Sequence, residues 1–260
     1  MLMTIGCPLD PLSLVSLRLE LLGRGCSLGF ATGFVIKWND KAYLITNWHV
    51  LSGKHPETYA ALSSTGDIPD EVRINHHSKK IMSWVTHTEP LLDSQGHPRW
   101  LELFSKTRLD VVALPLREQD DEIQLYLLDL ALANTDIIPM VAMPVSTIGF
   151  PMGMVASFSL PIWKTGHIAS DFGWYYQDKP AFLIDATTRP GMSGAPVFLR
   201  VFGGYVTSSG QYVIAQQSGG VSTRFLGIYS GRVHNESEIG TVWYPDVISR
   251  ILEQKASATP

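Results

Sequence analysis

The chain has 260 residues, 45% of them hydrophobic and 17% charged, with 22 glycines and 16 prolines. That composition suits one large or two small β-rich domains with filled cores and many turns. The net charge of −4 gives no basic footprint of the kind a nucleic-acid binder carries, and no run of about 18 apolar residues predicts a membrane span.

The N-terminus does not read as a signal peptide. The first basic residue is Arg18, and Pro8, Asp10 and Pro11 interrupt any apolar stretch, so a cytoplasmic location is expected. Cys7 and Cys26 are too few for a disulfide framework and are expected as reduced thiols; a single bridge between them stays open for an exported chain.

In chain order, Gly33–Trp38 and Ala42–Thr46 read as two strands joined by a turn at Asn39-Asp40. Glu71–Asn75, Ile81–Thr86, Arg99–Phe104 and Val111–Leu116 complete a first set of strands. The loop 52–70 between them is polar and turn-rich. His76-His77, beside Lys79-Lys80, reads as a solvated turn; no Cys or His follows at zinc-ligand spacing. A helical period over Glu122–Leu132 predicts a short connector helix. A second set of strands follows at Val145–Gly149, Trp163–Ser170, Ala181–Asp185, Pro196–Val201, Gln211–Ala215 and Phe225–Tyr229. Val247–Gln254 closes the chain as a helix, with a frayed tail. Many short strands with turns between them argue for barrels or sandwiches rather than βαβ units.

Three local motifs carry chemistry. Ile45-Thr46-Asn47-Trp48-His49-Val50 ends a strand on a histidine. Leu109-Asp110-Val111-Val112 places an aspartate at the head of an apolar strand. Arg189-Pro190-Gly191-Met192-Ser193-Gly194 sets a serine in a glycine-flanked turn before a strand. A serine hydroxyl needs an adjacent base to become a nucleophile, an imidazole titrates near neutrality and can serve as that base, and a carboxylate behind it fixes its tautomer. The backbone N–H groups of Gly191 and Ser193 are the natural oxyanion donors.

With these motifs in the order His, Asp, Ser, 61 and 83 residues apart, the sequence resembles the trypsin-like serine proteases, most closely the HtrA-type branch. Thr147-Ile148-Gly149-Phe150-Pro151-Met152-Gly153, Thr165–Ser170, Asp185–Pro196 and Gly227–Ser230 extend the resemblance, which runs from about residue 30 to residue 252. It implies an all-β chymotrypsin-like fold: two antiparallel six-stranded β-barrels and a C-terminal helix. The expected units are 1–118 (barrel with His49 and Asp110), 119–139 (connector), 140–242 (barrel with Ser193, the oxyanion hole and the specificity pocket) and 243–260 (helix and tail).

The resemblance also places the pocket floor at Thr187, six residues before the serine, and one wall at Ser230, Gly231 and Arg232. No carboxylate stands at that floor, so a small or medium apolar side chain is expected before the scissile bond, or an acidic one if Arg232 turns inward. The family's usual Gly is replaced by Ala195. Met192 stands where digestive relatives carry the aspartate that receives a freed N-terminus, which implies no activation of that kind. HtrA relatives carry a PDZ module after the protease domain; none is expected here. The implied function is a serine endopeptidase acting on protein or peptide substrates, with no cofactor or metal. The alternative is a latent or non-catalytic peptide-binding module of the same fold, switched or held by a regulatory partner protein; an esterase is a third option.

Overall fold

The structure is a computed structural model that describes residues 9–80, 82–104, 108–117, 121–214, 220–234 and 236–258. Cys7, Ile81, residue 118, residues 119–120 of the expected connector and Ala215 lie outside the described residues; Cys26 is exposed.

Strand β1 (Ser16–Gly23) alternates Leu17 and Leu19, both buried, with Arg18 and Glu20 on the other face. It pairs with β2 (Cys26–Trp38), which turns through Asn39-Asp40 into β3 (Lys41–Thr46). Both turn residues have positive φ, 45° and 62°, the left-handed geometry of a two-residue hairpin loop. Helix α1 (Trp48–Ser52) follows directly. Then come β4 (Glu71–Ser78), β5 (Trp84–Pro90), β6 (Leu101–Phe104), β7 (Arg108–Pro115) and the short β8 (Ile123–Gln124). The antiparallel path runs β5-β4-β1-β2-β3-β7-β6, with β8 on β4.

The second unit contains β9 (Pro144–Gly149), β10 (Ile162–Ile168), β11 (Ala181–Asp185), β12 (Pro196–Phe202), the hairpin β13 (Gly204–Val206) and β14 (Tyr212–Ile214), β15 (Val221–Arg232) and β16 (Ile239–Trp243). Six of these close into a barrel, β10-β11-β16-β15-β12-β9. Helix α2 (Asp246–Ala258) ends the described chain. Among the described residues no helix is long and apolar enough to cross a membrane.

Three apolar clusters follow from the strand alternation. Leu17, Leu19, Val35, Leu44, Val72, Ile74, Val112 and Leu114 fill the inside of the N-terminal sheet. Val145, Phe182, Ile184, Val197, Leu226 and Val242 fill the barrel. Phe34, Ile36, Ile45, Val111 and Ala113 point the other way, with Phe198, Phe225 and Ile228, and join the two units. Helix α2 lays Val247, Ile248, Ile251 and Leu252 onto that joint, each burial contributing roughly 1.5–3 kcal/mol.

Three expectations change. The barrel has its six strands, but the N-terminal sheet is a path of seven whose end strands, β5 and β6, are not hydrogen-bonded to each other. The helix expected over 122–132 is absent: Ile123–Gln124 bonds to β4, Leu128 N–H donates to the Val35 carbonyl at 2.8 Å, and only Leu130–Asn134 turns as a 3₁₀ helix capped by Asp129. His76-His77 is no solvated turn: β4 continues through both, and they are buried. His77 lies against Trp84 and Tyr126, with ring centroids 3.9 and 4.9 Å away.

Candidate active site

Asn47 caps α1 by position, and its buried side-chain amide donates to the Asp110 backbone carbonyl at 2.7 Å. This ties the end of β3 to β7 and sets His49, the second residue of α1, over the head of β7. The Asp110 carboxylate is 2% exposed and accepts three hydrogen bonds: His49 N–H to Oδ1 at 2.8 Å, the His49 ring at Nδ1 to Oδ2 at 2.7 Å, and the Ser230 hydroxyl to Oδ2 at 2.5 Å. A buried carboxylate is tolerable when so satisfied. Binding through Nδ1 leaves His49 Nε2 as the free ring nitrogen.

Ser193 lies between two left-handed glycines, Gly191 (φ 94°) and Gly194 (φ 86°). A β-carbon at Gly194 would collide with the Thr32 carbonyl and the Thr46 hydroxyl, and one at Gly191 with the Phe150 carbonyl. Both positions therefore need glycine for two reasons, conformation and space. The loop is pinned to the N-terminal sheet through Thr32. Its N–H donates to the Ser193 carbonyl at 2.9 Å, and its hydroxyl donates to the Gly191 carbonyl at 2.8 Å while accepting from Phe150 N–H at 3.1 Å. The N–H groups of Gly191 and Ser193 make no hydrogen bond among the described residues. Met192 is fully buried in the barrel cluster.

The Ser193 hydroxyl donates to the Ser230 carbonyl at 2.8 Å and not to His49. His49, Gly191 and Ser193 nevertheless line one cavity of about 300 Å³, with Phe30, Val50 and Pro190. A second cavity of about 630 Å³ is lined by Asp110, Ser230, Gly231 and Arg232, with His55 and Tyr176. Loop 53–70 borders both, and Lys179 bridges across the second to Glu57 at 2.7 Å. A third cavity, about 580 Å³ between Trp38, Phe172 and Tyr244, shares no lining residue with these two.

The structure thus sets His49 and Ser193 on one cavity and Asp110 on the other with Ser230, Gly231 and Arg232, the two linked by the bonds of Asp110 to His49 and of Ser193 to Ser230. It does not place Thr187 at a pocket floor: Thr187 is exposed and lines none of these cavities, because the tight turn from Thr188 N–H to the Ala186 carbonyl (2.6 Å) turns Thr188 inward instead. Thr188 is buried and shares a 2.5 Å hydrogen bond with the Tyr229 hydroxyl, and burial pushes the Tyr229 phenol up. Sequence reasoning missed Thr32 and Thr188; it placed Tyr229 on the strand expected to line the specificity pocket, with no role for its side chain. The one signal for Thr32 is a hydroxyl inside the apolar run Ala31–Ile36. Ser230 was legible as a wall residue but not as a partner of Asp110.

Residues 31–203 match the trypsin-like peptidase domain family, and the chain belongs to that family. No curated protein matches significantly. Among solved structures, the chain is similar to an inactive form of Rv3671c from M. tuberculosis H37Rv, at 14% identity over 95% of this chain and 89% of that one, with a TM-score of 0.51. It is also similar to a serine endoprotease from Yersinia pestis, at 14% identity over 95% of this chain and 67% of that one, with a TM-score of 0.52. At these identities the likeness is one of fold.

Proposed function

We propose that the chain is a serine endopeptidase in which Ser193 is the nucleophile, His49 the general base and Asp110 the group that orients the imidazole. The observation that carries this reading is the buried Asp110 carboxylate held on His49 Nδ1 at 2.7 Å, with Ser193 opening on the same cavity as His49. Rotation about the Ser193 side chain moves its hydroxyl from the Ser230 carbonyl toward Nε2. The Oγ–carbon bond then forms as the proton passes to His49, and the Gly191 and Ser193 N–H groups receive the developing oxyanion. His49 returns the proton to the leaving amine, and water repeats the sequence on the acyl-enzyme. No metal or cofactor enters these steps. The cavity at His49 and Ser193 and the second one at Ser230, whose carbonyl holds the Ser193 hydroxyl, suit an extended chain, hence cleavage within a polypeptide.

A second reading has one observation in its favour. The Ser193 hydroxyl is held on the Ser230 carbonyl at 2.8 Å, the arrangement of a latent module that holds a peptide until a partner protein shifts it. Turnover of a protein substrate such as casein separates the two. The endopeptidase reading expects hydrolysis by the wild-type chain and a loss of roughly 10⁴–10⁶ in kcat for Ser193→Ala. Peptide binding without turnover by a folded wild-type chain favours the latent module.

A further inference from the structure

Tyr229 runs antiparallel to the nucleophile loop: its N–H donates to the Ala195 carbonyl and its carbonyl accepts from Gly194 N–H, both at 2.9 Å. The ladder to β16 is irregular between Tyr229 and Gly231: Ser230 turns its hydroxyl to Asp110, while the Tyr229 ring reaches Thr188, in the loop that leads to Ser193. There it is 2% exposed and packs in one cluster with Met192, Ala195 and Val242.

The far end of the ring is fixed by the Thr188 hydroxyl at 2.5 Å. Its flank lies over β16: a β-carbon added at Gly240 would stand 2.5 Å from Tyr229 Cε2. Gly240 is the ladder partner of Arg232, so the ring fills the space between the 188–193 loop and the paired strands β15 and β16. Neither of the two cavities along the cleft is lined by Thr188, Tyr229 or Gly240. To swing out, the ring would have to leave a close-packed cluster and strand the Thr188 hydroxyl.

Resting on the reading of Ser193 as nucleophile, we propose that Tyr229, held by Thr188 and Gly240, closes the primary specificity pocket and limits the residue before the scissile bond to glycine, alanine or serine. This is narrower than the sequence expectation, which allowed valine, leucine or an acidic residue.

The test needs no known substrate. Peptidyl diphenyl phosphonates carrying alanine, leucine or phenylalanine at the reacting position form a Ser193 Oγ–phosphorus bond and expel phenol. Each labelling rate is divided by that of a simple fluorophosphonate, which has no side chain to place. Wild type should take the alanine probe at least ~10-fold faster than leucine or phenylalanine, and Tyr229→Val should gain at least ~10-fold toward the bulky probes. A wild-type chain labelled by phenylalanine as fast as by alanine would overturn the proposal, as would a folded Tyr229→Val with an unchanged order. The wild-type order decides even if Tyr229→Val does not fold. Absence of fluorophosphonate labelling in wild type would instead remove the nucleophile reading, and this inference with it.

Discussion

Asp110 is the residue on which the cleft converges, because both of its oxygens are committed to groups that can move the reacting atoms. Oδ1 fixes the backbone of His49, while Oδ2 holds its ring and the Ser230 hydroxyl. The carbonyl of the same Ser230 holds the Ser193 hydroxyl, so the proposed nucleophile and the proposed orienting acid meet at one strand position. A second set of titratable side chains lies away from this cleft. Burial pushes His76 down from the ordinary 6.5 to about 4, helped by the nearby charges of His87 and His77; burial likewise takes His77 to about 4. Both ring nitrogens of His76 lack a partner among the described residues, so the neutral form is the one that fits. An unfolded chain binds protons at these histidines below about 6.5, while the folded chain binds them only near 4. Stability is therefore fully present above pH 6.5 and falls as pH drops toward 4, by roughly 3 kcal/mol per histidine. Urea midpoints measured across that range should show the fall, and His76→Leu should shrink it; a flat profile in wild type contradicts the assignment. His49, Asp110 and Ser193 were legible as candidates because each stands in a local motif beside or near the head of a strand. Thr188 was not, since which of two adjacent threonines faces inward depends on a turn that no residue count specifies.

At the scale of elements, the hairpin β2–β3 was legible because Asn39-Asp40 accepts left-handed backbone and the flanking runs are β-branched and aromatic. Strand β1 was passed over although Leu17, Leu19 and Leu21 alternate with charges, a pattern of period two. The connector misled in the other direction: its leucines recur at helical spacing, yet the backbone bridges to β2 at Leu127 and only Leu130–Asn134 turns as a 3₁₀ helix. The element that matters most for the chemistry is the nucleophile loop, and Thr32 is its anchor. Thr32→Val keeps the shape of the side chain and removes the bond to the Gly191 carbonyl while leaving Phe150 N–H unsatisfied. A cost of about 1–3 kcal/mol in stability is expected. Turnover should fall by about 10–100-fold at unchanged substrate affinity, because a loop out of place weakens oxyanion donors felt only in the transition state. A variant that loses stability but keeps wild-type kcat would show that Thr32 supports the fold alone.

For the whole molecule, the division of labour follows the three clusters. The inner two give each unit its own core, and the joint of Phe34, Phe198, Phe225 and helix α2 sets the units so that His49 from one faces Ser193 from the other. Met192 is where the nucleophile loop enters this arrangement. Its side chain is fully buried among apolar neighbours, so the loop is held by burial and needs no ion pair beneath it. Met192→Asp would bury a carboxylate among apolar neighbours, at a cost of several kcal/mol. A marked drop in melting temperature is the expected result; a stable, active variant would show that the loop can recruit a charge partner.

Activation of Ser193 is decided by fluorophosphonate labelling of the full chain followed by peptide mapping. Covalent modification is expected at Ser193 alone, abolished by Ser193→Ala and by His49→Ala while both variants remain folded. A wild-type chain that stays unmodified, or one modified equally after His49→Ala, would contradict it.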